Sequence, residues 1–238
     1  MINTQHVIQI DNVVYGWSSR EAACIDIKRF EISRKERVFL YGPSGSGKST
    51  LLGLLSGVLV PNEGRIHVLD QDLKSIGHRR RDRFRADHIG FIFQQFNLIP
   101  YLSVIDNILL PCHFSDRRKQ NVIKKGTAIR DQAIQLLMQL DVEAALHHRV
   151  ASRLSIGQQQ RVAAARALIG SPEIIIADEP TSALDEDRGN VFLQLLLQQC
   201  DALNATLIFV SHDHRLKPLF SKHIFLPELN KASGLRYA

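Results

Sequence analysis

The chain has 238 residues, of which 45% are hydrophobic and 23% charged, a composition typical of a folded globular protein and not of a disordered one. Its net charge of +6 permits a nucleic-acid partner, but the densest basic run, HRRRDRFR at residues 78–85, contains an aspartate and only one aromatic residue, Phe84, whereas a strand-binding groove interleaves several stacking aromatics. We therefore interpret this run as a solvated helix face or a contact for an acidic partner, and we expect no nucleic-acid partner. The longest apolar runs are too short to span a bilayer, and the first residues lack a signal-peptide pattern.

The predicted elements follow an alternation of strands and helices with one long helical interruption. Strands are expected at residues 7–10, 24–32, 37–41, 65–70, 89–93, 173–178 and 206–210. Helical periodicity dominates from about residue 95 to 165, and a further helix is expected at residues 188–203. This order predicts an α/β nucleotide-binding core, interrupted by a helical insertion.

The predicted strand RVFLY runs into GPSGSGKST, which fits the phosphate-binding pattern G-x-x-x-x-G-K-S. The glycines allow backbone N–H groups to turn inward around phosphate oxygens at a helix start. Lys48 would reach the outer phosphates and the Ser49 hydroxyl would bind Mg²⁺. The predicted nucleotide-binding residues of this loop are Gly42, Pro43, Ser44, Gly45, Ser46, Gly47, Lys48, Ser49 and Thr50.

A second acidic site is predicted where the apolar run at residues 174–177 ends in two acids, Asp178 and Glu179. Ligands bind at strand ends in open α/β sheets. Asp178 would hold magnesium, usually through water, and Glu179 would orient and polarise the water that attacks the γ-phosphate.

Three more polar residues come after predicted strands or turns: Gln94, Asp185 and His212. Each alone is most often an ordinary loop residue. In a protein with a phosphate-binding loop, the three together indicate groups that sense the γ-phosphate around one site. We also include Gln94 among the magnesium ligands.

The stretch LSIGQ at residues 154–158 places a serine and a glycine at the start of a predicted helix. The first N–H groups of a helix have no intrahelical partner, and the helix dipole favours an anion there. The pattern therefore indicates an anion site. It does not show whether the anion belongs to this chain's own active site or to that of another molecule.

Taken together, these motifs resemble the ATP-binding-cassette (ABC) ATPases, in order and spacing. The matching segments are Walker A GPSGSGKS, the Q-loop glutamine Gln94, the signature LSIGQ, Walker B IIIADE, the D-loop SALD and the switch histidine His212. The resemblance implies an ABC ATPase fold with a mostly parallel core sheet, an antiparallel β-subdomain and a helical subdomain. It implies one nucleotide-binding domain, with its core at residues 1–94 and 166–238 and the helical subdomain at about 95–165. In such a domain Tyr15 would stack on adenine, with Trp17 as the fallback.

The resemblance also answers whose anion the signature binds. In ABC ATPases two subunits pair head to tail when ATP binds, and the signature of one subunit closes over the γ-phosphate held by the other. Ser155, Gly157 and Gln158 would bind nucleotide in this way, together with Asp185 of the D-loop. The departure from the family pattern is Ile156, where the usual signature has a second glycine.

The segment NLIPYLSVIDNILLP at residues 97–111 resembles the lipoprotein-releasing and macrolide-exporting (LolD/MacB-type) group, whose next helix ends at N-x-x-L-P. The resemblance implies a Mg²⁺-dependent ATPase, peripheral on the inner face of the cell membrane, that powers a separately encoded permease. We expect the permease to dock near Gln94 on exposed apolar residues that include Phe96, Leu98, Ile99 and Leu102, unless these cover the protein's own core. The alternatives are an ABC importer subunit for a small solute and, with less support, a soluble ABC ATPase outside transport.

Overall fold

The computed structural model describes residues 5–18 and 22–232. Within these residues it has nine β-strands: β1 (His6–Tyr15), β2 (Ile25–Ser33), β3 (Arg37–Tyr41), β4 (Glu63–Val68), β5 (Gln71–Asp72), β6 (Ile89–Ile92), β7 (Ile174–Asp178), β8 (Thr206–Val210) and β9 (Lys222–Phe225). The same residues form eight α-helices: α1 (Lys48–Leu55), α2 (His78–His88), α3 (Val104–Phe114), α4 (Asp116–Ile123), α5 (Ile129–Gln139), α6 (Ile156–Leu168), α7 (Glu186–Leu203) and α8 (Leu226–Leu229).

The chain separates into two compact units. The first contains the residues up to Arg85 together with those from Ile208 onward, and the second contains Ala86–Leu207. These bounds differ from the predicted core and helical subdomain, whose division at about residues 95 and 165 stays a prediction.

The first unit contains an antiparallel sheet of order β2-β1-β4-β5. Ile10 lies opposite Phe30 of β2 and Ile66 of β4, and all three are buried, because alternate residues of a strand face the same side of the sheet. The unit also contains a parallel arrangement of order β8-β3-β9, in which Leu40 lies opposite Ile224. The predicted antiparallel β-sheet is therefore present.

The second unit contains the parallel strands β6 and β7, with Phe91 opposite Ile176, and the first residues of β8 beside β7. Ile174–Ala177 are fully buried, as expected for a parallel strand covered on both faces. Helices α3, α4, α5 and α6 lie in this unit, and α3 packs on α5 and α6. The predicted α/β class with a mostly parallel core sheet is confirmed.

Two local expectations need correction or qualification. Helix α3 continues through Pro111 to Phe114, so the N-x-x-L-P segment does not end it. A proline in the last turn removes one intrahelical hydrogen bond, and the backbone N–H of Ser115 still donates to the Pro111 carbonyl at 2.9 Å.

The basic run at residues 78–85 forms most of α2, which has no buried residue, in keeping with a solvated helix. No helix among the described residues has the length and apolar character needed to cross a membrane.

Strand β6 and helix α6 approach each other closely at Gly90. A Cβ atom at Gly90 would lie 2.2 Å from the Ala167 carbonyl oxygen of α6. Because a backbone carbonyl inside a helix cannot move aside, Gly90→Ala should lower the free energy of unfolding by about 2 kcal/mol, as overpacked core substitutions do. Gly77→Ala is the matched control, since nothing lies within 4 Å of a Cβ there. Equal urea midpoints for the two variants would contradict the packing of β6 on α6.

Candidate nucleotide site

The phosphate-binding loop lies between β3 and α1 of the first unit. Buried Val38, Phe39 and Leu40 anchor the strand before it, and Gly47 ends the loop with φ of 94°, a conformation that a side chain would strain. Helix α1 begins at Lys48. The sequence therefore folds locally as strand, loop and helix start, as the motif requires.

Lys48 extends back across the loop. Its Nζ donates hydrogen bonds to the carbonyl oxygens of Gly42 at 2.9 Å and Pro43 at 3.0 Å, although the side chain is only 8% exposed. A buried ammonium needs such partners, and here the loop's own backbone supplies them. The exposed residues beside it are Ser44, Gly45 and Ser49, so the loop presents backbone and hydroxyl groups to solvent.

His212 lines a cavity of roughly 220 Å³ in the first unit, beside Gly42 and Pro43. The other walls are Tyr41, His214 and Phe225. His214 stands edge-on to the Tyr41 ring, with 5.0 Å between ring centroids, and Lys217 Nζ lies 3.7 Å from the centre of the same ring. His212 is a predicted site residue, whereas the aromatic residues beside it are not among the predicted ones. The signals that could have found them are a tyrosine directly before the first glycine and a second histidine two residues after His212.

The two aromatic residues considered for adenine differ in exposure. Tyr15 is 8% exposed and Trp17 is 63% exposed, and the rings meet edge to face with centroids 5.4 Å apart. Burial raises the pKa of the Tyr15 hydroxyl, and the neighbouring Cys24 adds to the rise. The stacking role of Tyr15 stays a prediction, and Trp17 has the more open ring.

In the second unit, β7 ends at half-buried Asp178 and delivers Glu179 into the turn that follows. Glu179 has φ of 47°, a left-handed conformation that costs a non-glycine residue on the order of 1 kcal/mol and is found most often at functional sites. The turn is held because the Ser182 N–H and hydroxyl donate to the Glu179 carbonyl at 3.2 and 2.9 Å. Gln94, which follows β6, places its Nε2 3.5 Å from Glu179 Oε2. The structure thus brings together two predicted site residues that are 85 positions apart in the sequence.

The signature LSIGQ forms the start of α6 with a reciprocal cap. The Ser155 hydroxyl accepts a hydrogen bond from the Gln158 N–H at 3.3 Å, and the Gln158 side-chain oxygen accepts one from the Ser155 N–H at 2.9 Å. The next N–H groups, those of Ile156 and Gly157, have no intrahelical acceptor. Ile156 is 52% exposed, so this helix start is open to solvent.

Asp185 also caps a helix. It accepts a hydrogen bond from the Arg188 N–H at 2.9 Å at the start of α7. This capping bond does not test its predicted contact with nucleotide, which stays a prediction.

Gln160, which is not among the predicted site residues, is fully buried on α6, and its Nε2 donates to the Pro180 carbonyl at 2.6 Å. It ties the signature helix to the turn after Glu179, and its place on the buried face of α6 was the available signal.

The expected apolar docking surface needs correction at Phe96. Phe96 is only 6% exposed, and Leu98, Ile99 and Leu102 are half-buried. Arg166, whose pKa burial lowers to about 10, donates to the Phe96 and Asn97 carbonyls and fixes this loop to α6. The alternative interpretation, that the run covers the protein's own core, is therefore right for Phe96. The exposed aromatic of this segment is Tyr101, at 77%.

Comparison with known proteins gives consistent results. A family model described as "ABC transporter" matches residues 26–182, more than half of the chain. The ABC transporter ATP-binding protein MJ0796 of Methanocaldococcus jannaschii is 35% identical over 93% of this chain and 94% of its own. The lipoprotein-releasing system ATP-binding protein LolD of Legionella pneumophila is 35% identical over 83% of each chain.

A solved structure agrees with these relatives. A dimeric, post-hydrolysis structure of MJ0796 bound to ADP and Pi aligns with a TM-score of 0.79 at 32% identity, covering 96% of this chain and 99% of that one. The resemblance drawn from the motifs is confirmed by this match and by the family match over most of the chain. This chain therefore belongs to the ABC transporter family, as an ATP-binding and ATP-hydrolysing subunit.

Proposed function

We propose that this subunit binds Mg-ATP at the loop of residues 42–50, pairs head to tail with a second copy, and drives a separately encoded membrane permease. The observation that carries the proposal is the placement of Lys48, whose ammonium is held by the Gly42 and Pro43 carbonyls beside an exposed Ser49. These two carbonyls are neutral acceptors, and an ammonium forms stronger hydrogen bonds with an anionic acceptor. A triphosphate supplies that acceptor.

In this proposal the loop's N–H groups bind the phosphates, and Lys48 moves its hydrogen bonds from the loop carbonyls to the outer phosphate oxygens. The adenine stacks on the aromatic pair at the end of β1. We assign the stacking face to Trp17 in preference to Tyr15, because its ring is far more exposed and an aromatic face binds any base. Tyr15 then supports Trp17 edge-on.

Three oxygen-bearing side chains would hold magnesium: Ser49, Gln94 and Asp178. A hydroxyl, a carboxamide and a carboxylate are hard ligands, which suits Mg²⁺, and Ser49 and Gln94 are exposed while Asp178 is half-buried. When bound, the ion neutralises charge on the phosphate oxygens.

For hydrolysis we assign Glu179 as the general base. A water oxygen attacks the γ-phosphorus, the bond from that phosphorus to the β–γ bridging oxygen breaks, and the water's proton passes to the Glu179 carboxylate, which leaves ADP and phosphate. The Gln94 amide, 3.5 Å from Glu179 Oε2, helps to orient that carboxylate. His212, at the cavity beside Gly42, contacts the γ-phosphate.

The partner for the exposed start of α6 is a second copy of the chain. The N–H groups of Ile156 and Gly157 are open donors at a helix N-terminus, a favourable place for a phosphate. Ser155 and Gln158 fix the geometry of this start, and Asp185 acts from the neighbouring D-loop. In this proposal the helical subdomain of about residues 95–165 carries the signature toward the partner's nucleotide. The dimeric relative of known structure supports the pairing.

The transport partner is a membrane permease, of the lipoprotein-release or macrolide-export type. Support comes from the similarity to LolD, which covers 83% of both chains. The subunit would then lie at the inner face of the cell membrane. An importer of a small solute is the alternative for the same cassette. The exposed Tyr101, in the segment after Gln94, is the side chain we assign to the permease contact.

The role of Glu179 can be tested by Glu179→Gln. The amide keeps the size of the carboxylate and one acceptor oxygen but cannot accept the proton, so the variant should bind Mg-ATP, hydrolyse it at least on the order of 100-fold more slowly and accumulate as an ATP-bound dimer. Sizing chromatography with and without Mg-ATP and a phosphate-release assay measure both effects. Glu143→Gln, at an exposed loop, is the matched control. Turnover at the wild-type rate in Glu179→Gln would remove this residue from the mechanism.

The permease contact predicts a separable defect. Tyr101→Asp should abolish copurification of the permease from solubilised membranes of the source cells while leaving Mg-ATP affinity of the purified subunit unchanged, since a buried charge opposes an apolar interface. Val191→Asp, at another exposed apolar position (52%), serves as control. If Tyr101→Asp retains the permease as well as Val191→Asp does, the contact lies elsewhere.

A further inference from the structure

The segment that follows β9 lies against the phosphate-binding loop within the first unit. A Cβ atom at Gly42 would lie 3.1 Å from Pro227 Cδ, so α8 packs on the first residue of the loop. The Lys231 N–H donates to the Asp26 carbonyl at 2.8 Å, which fastens the end of this segment to β2. The G-x-x-x-x-G-K-S motif alone does not account for these contacts between the loop and the segment after β9.

The side chain of Asn230 is the polar centre of the contact. It is 3% exposed, and its Oδ1 accepts from the N–H groups of Asp26 at 2.8 Å and Ala232 at 3.2 Å. Its Nδ2 donates to the carbonyls of Cys24 at 2.9 Å and Ser46 at 3.5 Å. Both oxygen partners are donors and both nitrogen partners are acceptors, so the amide has only one satisfied orientation.

The Ser46 carbonyl has a particular importance. It belongs to the same planar, trans peptide unit as the N–H of Gly47, and in such a unit the C=O and N–H bonds point in opposite directions. Whatever holds the Ser46 carbonyl on one side of the loop therefore directs the Gly47 N–H to the other side, where the proposed function has the phosphates. Asn230 Nδ2 and the Cys24 carbonyl oxygen also lie close to Gly47, at 3.6 and 3.3 Å from a Cβ placed on that residue.

We propose that Asn230 is a positioning residue for nucleotide binding: it holds the Ser46–Gly47 peptide with its N–H facing the phosphates. The inference rests on the proposed phosphate-binding role of residues 42–50. Asn230 does not contact the nucleotide in this account. It acts through the backbone, keeping a donor aimed before the ligand arrives, so its loss affects affinity beyond any loss of fold stability.

The chain offers a matched control in Asn107. This asparagine is also buried, at 0% exposure, and its side chain also makes four hydrogen bonds to backbone: from the Ile99 N–H, and to the carbonyls of Ile99, Leu102 and Ser103. It lies in the second unit. Asn230→Ala and Asn107→Ala therefore remove similar interactions, but only the first removes them from under the phosphate-binding loop.

The experiment titrates the full-length variants with Mg-ADP by calorimetry and records thermal unfolding. Both alanine variants should unfold at lower temperature, whereas only Asn230→Ala should weaken Mg-ADP binding, by about tenfold, as expected when a binding group loses its pre-set geometry. Wild-type affinity in folded Asn230→Ala, or an equal loss in Asn107→Ala, would overturn the inference. Wild-type protein that fails to bind, or Lys48→Ala that binds as well as wild type, would instead refute the nucleotide site itself.

A second variant keeps the test decisive if the alanine variant does not fold. Asn230→Asp preserves size and the Oδ1 acceptor, but its carboxylate faces the Cys24 and Ser46 carbonyls. A protonated carboxyl can donate to one of them, so its Mg-ADP affinity relative to wild type should recover as the pH is lowered from about 8 to 6, because burial beside acceptors raises the pKa of a carboxyl. Asn107→Asp should show no such recovery. A pH-independent affinity ratio for Asn230→Asp would overturn the proposal.

Discussion

A loop that binds phosphate through its backbone must keep its peptide units in a fixed orientation, and this constraint organises the first unit. The carbonyls of the same loop then need donors of their own. Lys48 Nζ satisfies the carbonyls of Gly42 and Pro43, and Asn230 Nδ2 reaches that of Ser46. Three carbonyls of the loop are therefore held by one charged and one neutral side-chain donor, and the Ser46 N–H also donates to the Pro43 carbonyl, at 3.3 Å.

In the second unit, a strained backbone conformation fixes the position of the proposed general base. Glu179 occupies a left-handed backbone conformation, kept in place by two hydrogen bonds from Ser182 to its carbonyl. The buried glutamine Gln160 binds the next carbonyl, that of Pro180, from the signature helix. Gln160 thus connects the signature helix directly to the turn that carries the proposed general base, within a single unit.

The parts of this protein that sequence predicts well are those with short-range physical signatures. The run at residues 174–177 has the length and apolar character of a buried strand, and the glycine pattern before Lys48 is expected between a strand and a helix. The contact that holds the loop at Phe96 has no such local signature, because its donor, Arg166, lies 70 residues away in the sequence. Asn230 is similarly remote from its partners in the sequence: it lies 184 residues from Ser46 and 206 residues from Cys24.

In the proposed mechanism, the signature helix of one copy completes the nucleotide site of another. The most direct measurement is the ATPase activity of a mixture of Lys48→Ala and Ser155→Arg subunits, each inactive alone. Randomly paired dimers would include half with one intact composite site, so the mixture should recover about a quarter of the wild-type rate if the sites act independently. The contradicting result is no recovery together with loss of Mg-ATP binding by isolated Ser155→Arg, because that pattern would place signature and loop in the site of a single subunit.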